Sequence, residues 1–121
     1  MAQAAAQAEQ FVIHSEKYPN TIQVQFRVRR HVEFGQSVGM LGGDASLGSW
    51  DSKKIVPLTW SDGDHWHTTV DIPGNTYLEY KFVIFHESLV CEWEGGANHR
   101  LTLPKFSTST IKVFDSWGGG N

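Results

Sequence analysis

Three of the five tryptophans in this sequence have surroundings that indicate ligand binding. Trp50, Trp60 and Trp93 are each flanked by small or polar residues, as in the stretch Gly-Ser-Trp-Asp-Ser over residues 48–52. A flat aromatic ring in a polar loop exposes apolar surface to water unless a partner covers it. The partners that suit an indole face are a protein hot spot, a nucleobase or the apolar face of a sugar ring.

Polar residues near these tryptophans are of the types that bind a sugar. A sugar ring presents C–H groups on its face and hydroxyls around its edge. Lys81, Glu94 and Asn98 have the ammonium, carboxylate and amide groups that would bind such hydroxyls. Lys81 alternates with Tyr80 and Phe82, so its side chain is predicted to point away from the core. From this pattern alone, a solvated lysine remains the alternative.

Other residues have a structural interpretation. Trp66 lies on the apolar face of its segment with Val70 and Ile72, which predicts a core tryptophan, and Trp117 is expected to cap one end of the core. Cys91 is the only cysteine, which excludes an internal disulfide, and its apolar neighbours predict a buried, inert thiol.

Short segments of period-two hydrophobicity must position these residues. Ile22, Val24, Phe26 and Val28 alternate with polar residues, and Pro57 suggests an edge strand. Similar patterns separated by turn residues predict about eight strands, at 22–28, 38–40, 56–60, 66–72, 77–85, 89–93, 99–103 and 110–115. The spacing near ten residues predicts an all-β, antiparallel sandwich or barrel with no regular helix.

Length and composition limit the alternatives. The chain has 121 residues, enough for one domain, and 40% of them are hydrophobic, enough for a core. We expect a module over residues 18–117 between flexible tails at 1–17 and 118–121. The net charge of −3 opposes nucleic-acid or membrane binding driven by bulk charge. The lone thiol and the Ala-rich start favour a plastid or the cytosol over secretion.

Four other functions are compatible with parts of the sequence. Loop acids such as Asp44 and Glu92 show no motif for glycoside hydrolysis and are interpreted as turn formers. His65 and His67, with Asp62 and Asp64 nearby, would need a further well-placed ligand to hold zinc. A small basic patch, formed by Arg27, Arg29, Arg30 and His31, could serve single-stranded nucleic acid. The main alternative is a protein-interaction sandwich in which Trp50, Trp60 and Trp93 are hot spots.

Four segments occur in an order that carries a resemblance: residues 48–51, 78–82, 92–100 and 114–117. From about Thr21 to Trp117 the sequence closely resembles the starch-binding domain, carbohydrate-binding module family 20. It also resembles the plant and algal copies attached to plastid starch enzymes such as phosphoglucan water dikinase. In the matching region His99 separates Asn98 from Arg100, which are adjacent in the family.

The resemblance implies an immunoglobulin-like antiparallel β-sandwich that is not an enzyme, needs no cofactor or metal, and has two α-glucan sites. In the first site Trp50 and Trp93 would form a stacking platform while Lys81, Glu94 and Asn98 orient hydroxyls. Trp60 and Phe34 would form the second, weaker site, in which Phe34 stands where the family often has a tyrosine. The implied partners are α-1,4-glucans, namely starch, glycogen, maltooligosaccharides and cyclodextrin, and a covalently attached catalytic or scaffold domain.

Overall fold

The computed structural model describes residues 20–119, which contain nine β-strands and one short 3₁₀ segment. The strands are β1 (Thr21–Arg29), β2 (Ser37–Gly42), β3 (Val56–Pro57), β4 (Thr59–Ser61), β5 (His65–Pro73), β6 (Tyr77–His86), β7 (Leu89–Trp93), β8 (His99–Thr102) and β9 (Ile111–Asp115), and the 3₁₀ segment is Ala45–Trp50. The tail predicted over residues 1–17 lies outside the described part, as do residues 120 and 121 of the predicted C-terminal tail.

The strands form two sheets, which confirms the predicted all-β sandwich. A four-stranded sheet has the order β4-β5-β1-β9, and a five-stranded sheet has the order β3-β2-β6-β7, with β8 also paired to β6. Strand β3 lies at an edge, as Pro57 suggested. The strand count is nine because the chain leaves β3 at Leu58 and enters β4 in the other sheet.

One strand pair departs from the antiparallel expectation. Strands β1 and β9 are parallel, with Phe26 opposite Val113. The chain between these two strands, residues 30–110, contains all the other strands, so no tight hairpin forces β9 to run antiparallel to β1.

The core lies between the sheets and is built from the inward-facing residues that alternate along the strands. Val24 and Phe26 have no exposed surface, and the Phe26 ring meets Tyr80 edge-on with 4.9 Å between centroids. Trp66 is 5% exposed and its indole N–H donates to the carbonyl of Arg30 at 2.8 Å, so the predicted core role is confirmed. Trp117 packs on the core and stacks with Phe82.

The chain between β2 and β3 covers part of the outer face of the five-stranded sheet. Leu41 and Lys81 are directly opposite in register on β2 and β6, and their side chains share this face. Leu41 is nevertheless fully buried, since a Cβ placed at Gly48 would lie 2.9 Å from Leu41 Cδ2. This covering segment ends its 3₁₀ turn at Trp50, so the fold holds that tryptophan over the sheet.

Cys91 corrects one prediction, because its thiol is exposed. It lies on β7 at the edge of the five-stranded sheet, where Leu89 is also 73% exposed. The apolar run predicts a buried thiol, but β7 is an edge strand with a neighbouring strand on one side only, which leaves its side chains more exposed. Along residues 20–119 the structure contains no helix long and apolar enough to cross a membrane.

Candidate functional site

Trp50 and Trp93 lie side by side on the outer face of the five-stranded sheet. Their ring centroids are 6.5 Å apart and their planes are inclined by 42°. The two residues are 39% and 42% exposed. Trp50 ends the 3₁₀ segment and Trp93 ends β7, so two separate segments contribute to one angled aromatic surface, which we call the indole pair.

Local backbone conformation places Trp50. The successive φ values of Gly48, Ser49 and Trp50 are 85°, 51° and 58°. They lie in the left-handed region, which residues other than glycine rarely adopt. Asp44 caps the segment by accepting the backbone N–H of Ser46 at 2.9 Å. At Gly43 a Cβ would come within 3.2 Å of the Trp50 indole nitrogen, so only glycine leaves room for the ring without displacement. Left-handed residues of this kind often mark functional sites.

Lys81 holds the turn that follows Trp93. Its Nζ donates to the carbonyls of Glu94 at 2.9 Å and Gly96 at 2.5 Å. The side chain points out of the core, as the alternation predicted, and is half-buried. Because an ammonium group has three N–H donors, these two bonds leave one donor for another acceptor.

Glu94 was predicted to orient sugar hydroxyls, and the structure contradicts that prediction. Its side chain has no exposed surface. The carboxylate accepts the backbone N–H groups of Phe82 at 3.0 Å and Gly118 at 2.6 Å, and lies 2.7 Å from Nε2 of His99. Strand alternation gives the reason: once Trp93 points outward, the next side chain points inward.

His99 was not among the residues predicted from the sequence, although its position between Asn98 and Arg100 was a signal. It is 2% exposed and stacks on Tyr80 with 5.3 Å between centroids. Its Nδ1 is 3.4 Å from a carboxylate oxygen of Asp115, whose other oxygen accepts the Tyr80 hydroxyl at 2.6 Å. Glu94, His99 and Asp115 therefore form a largely buried network of titratable side chains directly beneath the turn after Trp93.

A depression of about 390 Å³ lies beside Trp50. Its lining residues are Gly43, Asp44, Trp50, Tyr77, Glu79 and Asn98. The amide of Asn98 donates to Glu79 Oε1 at 3.3 Å. Asn98 is thus near the indole pair as predicted, whereas Tyr77 and Glu79 were not among the predicted site residues.

The other two predicted aromatic residues lie away from the indole pair. Trp60, on β4 of the four-stranded sheet, is 50% exposed and donates its indole N–H to Asp64 at 3.1 Å. Asp64 also lies 3.2 Å from His31, three residues before the fully exposed Phe34. Within the described residues no aromatic contact joins Phe34 to Trp60.

Comparison with known proteins decides the family. Residues 21–113 match the family model of the starch binding domain.

The chain belongs to the starch-binding domain family.

Among relatives of this starch-binding domain, a lytic polysaccharide monooxygenase A of the AA13 family from Pyricularia oryzae is 33% identical over 101 residues, covering 80% of this chain and 27% of the relative. A cyclomaltodextrin glucanotransferase from Thermoanaerobacterium thermosulfurigenes is 32% identical, covering 78% and 14%. The solved family 20 module of the maltotetraose-forming amylase from Pseudomonas saccharophila has a TM-score of 0.66 at 25% identity and covers 78% of this chain and 100% of that one.

These matches confirm the resemblance to the starch-binding domain. Members of this family are non-catalytic modules that bind starch. The chain spans about a quarter or less of the two curated relatives just described. The part of the starch-binding domain that the structure describes contains no group of three histidine, cysteine or acidic side chains placed to hold a metal ion.

The buried network beneath Trp93 makes the stability of the starch-binding domain depend on pH. Burial by itself lowers the pKa of His99, but its hydrogen bond to Glu94 and the charge of Asp115 outweigh burial and the opposing charge of Lys81, so the pKa lies above 6.5. Burial raises the pKa of Glu94, yet hydrogen bonds from His99 and the two backbone amides bring it below 4.5. Glu94 and His99 are therefore both charged at pH values between the folded-state pKa of Glu94 and that of His99.

We expect the free energy of unfolding to fall as pH rises from about 6.5 through the folded-state pKa of His99. A histidine whose pKa is raised by folding stabilises the protein fully below its unfolded pKa and loses that contribution as it deprotonates. Denaturant unfolding from pH 6 to 9 measures this, with His99→Gln as the comparison variant. Equal pH profiles for the two proteins would contradict the expectation. A second decline is expected as pH falls from about 4.5 through the folded-state pKa of Glu94, because the stabilisation by its carboxylate is lost on protonation.

Proposed function

We propose that this domain binds starch by stacking two consecutive glucose units of an α-1,4-glucan on Trp50 and Trp93. The observation that carries the proposal is the inclination of 42° between two exposed rings whose centroids are 6.5 Å apart. An α-1,4-glucan is curved, so successive sugar faces turn toward such an angled pair. A flat β-1,4-glucan would fit a coplanar row of aromatic rings better.

Polar groups at the rim of the indole pair would then orient the sugar hydroxyls. Lys81 has one N–H donor beyond its two bonds to backbone carbonyls, and Asn98 carries an amide that can both donate and accept. Glu94 is left out of the proposal because its carboxylate is buried. With net hydrogen bonds of roughly 0.5–1.5 kcal/mol each in addition to stacking, we expect affinity near the micromolar range.

Trp60 and Phe34 are proposed as a second, weaker site. Both are exposed, and Asp64 contacts both Trp60 and the segment that leads to Phe34. Phe34 keeps an aromatic face but offers no hydroxyl to a sugar. Two sites on one module would raise retention on a starch granule above that of either site alone.

We further propose that the domain anchors a covalently attached catalytic or scaffold domain on starch or glycogen. The support is that in two relatives named as enzymes the matching region is a small share of a longer chain. Holding an enzyme on an insoluble polymer raises its local substrate concentration.

A tryptophan-fluorescence titration tests glucan binding. We expect a saturable change with β-cyclodextrin and none with a cello-oligosaccharide of similar size, because the indole pair should select a curved α-glucan. A folded sample that responds to neither sugar would overturn the proposal, and would favour the protein-interaction function for the exposed tryptophans.

A further inference from the structure

We infer that the glucan-binding surface continues past Trp50 onto Tyr77, which forms an additional subsite for a linear α-1,4-glucan longer than the two units on the indole pair. The inference rests on the proposed function. It assigns a stacking role to a residue that neither the sequence pattern nor the platform required.

The position of Tyr77 is the first support. It is 54% exposed at the start of β6. Tyr77, Glu79 and Lys81 alternate with the buried Leu78 and Tyr80, so their side chains share the outer face of the sheet. Tyr77 is thus on the same face as the lysine beside Trp93, at the other end of one row.

Tyr77 is also close enough to continue the track from Trp50. The backbone N–H of Gly43 donates to the Glu79 carbonyl at 3.1 Å, and the Trp50 indole nitrogen would lie 3.2 Å from a Cβ at Gly43. The indole therefore lies beside Glu79. Tyr77 precedes Glu79 by two residues on β6, a distance of about 7 Å along the strand. Trp50 and Tyr77 line the same depression of about 390 Å³.

The surroundings of Tyr77 suit a sugar rather than an apolar partner. Glu79 and Asn98 line the depression with it and are joined by a hydrogen bond. Strand β8 places Thr102 opposite Tyr77 and Arg100 opposite Glu79, and opposed residues of an antiparallel pair share a face. Both β8 residues are exposed. An aromatic ring bordered by carboxylate, amide, hydroxyl and guanidinium groups can stack on a sugar and bind its hydroxyls.

Calorimetric titration with maltotriose and maltoheptaose tests the subsite. We expect Tyr77→Ala to weaken maltoheptaose binding about fivefold, an effect of the size of one lost contact, and to leave maltotriose binding unchanged within twofold. Tyr77→Phe should retain most of the maltoheptaose affinity, because stacking needs the ring and not the hydroxyl. The matched control is Phe114→Ala, which removes a 70% exposed strand aromatic from the other sheet and should change neither affinity.

The outcomes separate this inference from the proposed function. Unchanged maltoheptaose binding in folded Tyr77→Ala would overturn the subsite while leaving the indole pair intact. Equal weakening for both sugars would also overturn it, since Tyr77 would then act by supporting Trp50. If the unmodified domain bound neither sugar, the proposed function would fail together with the subsite. Tyr77→Thr, which removes the ring but places a residue of high strand propensity at this position, replaces the alanine variant if the latter does not fold.

Discussion

Replacing Trp93 with alanine is expected to weaken binding to soluble α-glucan by roughly 30-fold, since truncating a tryptophan at the centre of an interface commonly costs about 2 kcal/mol or more. The same replacement at Trp50 should have a similar effect, because each ring would stack on one sugar of the same pair. Retention on granular starch and cyclodextrin titration both measure the loss. Neither variant should unfold, because the two rings are about 40% exposed.

The matched control for these variants is Trp60→Ala. Trp60 is 50% exposed on the other sheet, so its removal should leave binding at the indole pair intact and reduce only the avidity on granules. Circular dichroism should verify the fold of each variant. A folded Trp50→Ala and Trp93→Ala double variant that stays on starch as well as the parent would remove the indole pair from the proposal.

Replacing Glu94 with alanine is expected to destabilise the domain by about 3–5 kcal/mol, the usual cost of removing one partner of a buried ion pair. The variant would leave His99 without its nearest carboxylate, and would deprive the backbone N–H groups of Phe82 and Gly118 of their acceptor. Chemical denaturation measures the change. If the Glu94 carboxylate served only to bind a sugar, its removal would leave the free energy of unfolding of the ligand-free domain almost unchanged.

Glu92 offers the control for this prediction, since it lies two residues earlier on β7. Its carboxylate is half exposed and pairs with Arg30 at 3.3 Å. Glu92→Ala should therefore cost less than about 1 kcal/mol, as surface ion pairs do. Similar losses for the two variants would mean that the buried network does not stabilise the fold as its geometry implies.

Much of the architecture could be predicted because hydrophobic alternation reports which face of a strand is buried. The segment that became β1 shows this, and so does Trp66, whose apolar neighbours at 70 and 72 indicated the core. The alternation says nothing of which strands become neighbours. The parallel pairing of β9 with β1 and the edge position of β7 with its exposed Cys91 therefore had to come from the structure.

The candidate site shows the same division. The family resemblance selected Trp50, Trp93, Lys81 and Asn98, and these residues lie on or beside one face of the five-stranded sheet. It also selected Glu94, although alternation from Trp93 would have predicted an inward side chain. Tyr77 was not selected, because an exposed aromatic at the start of a strand looks ordinary until its neighbours across the depression are known.

The fold class, the family and the exposed tryptophans could be predicted without the structure, since period-two patterning and short motifs are properties of contiguous residues. The tertiary structure was needed to show that two indoles from separate segments meet at 42°, that His99 lies between two carboxylates, and that Tyr77 lines the same depression as Trp50. These relations depend on strand register and loop packing. Both bring distant residues together through the free energy of the whole core, which no local stretch of sequence contains.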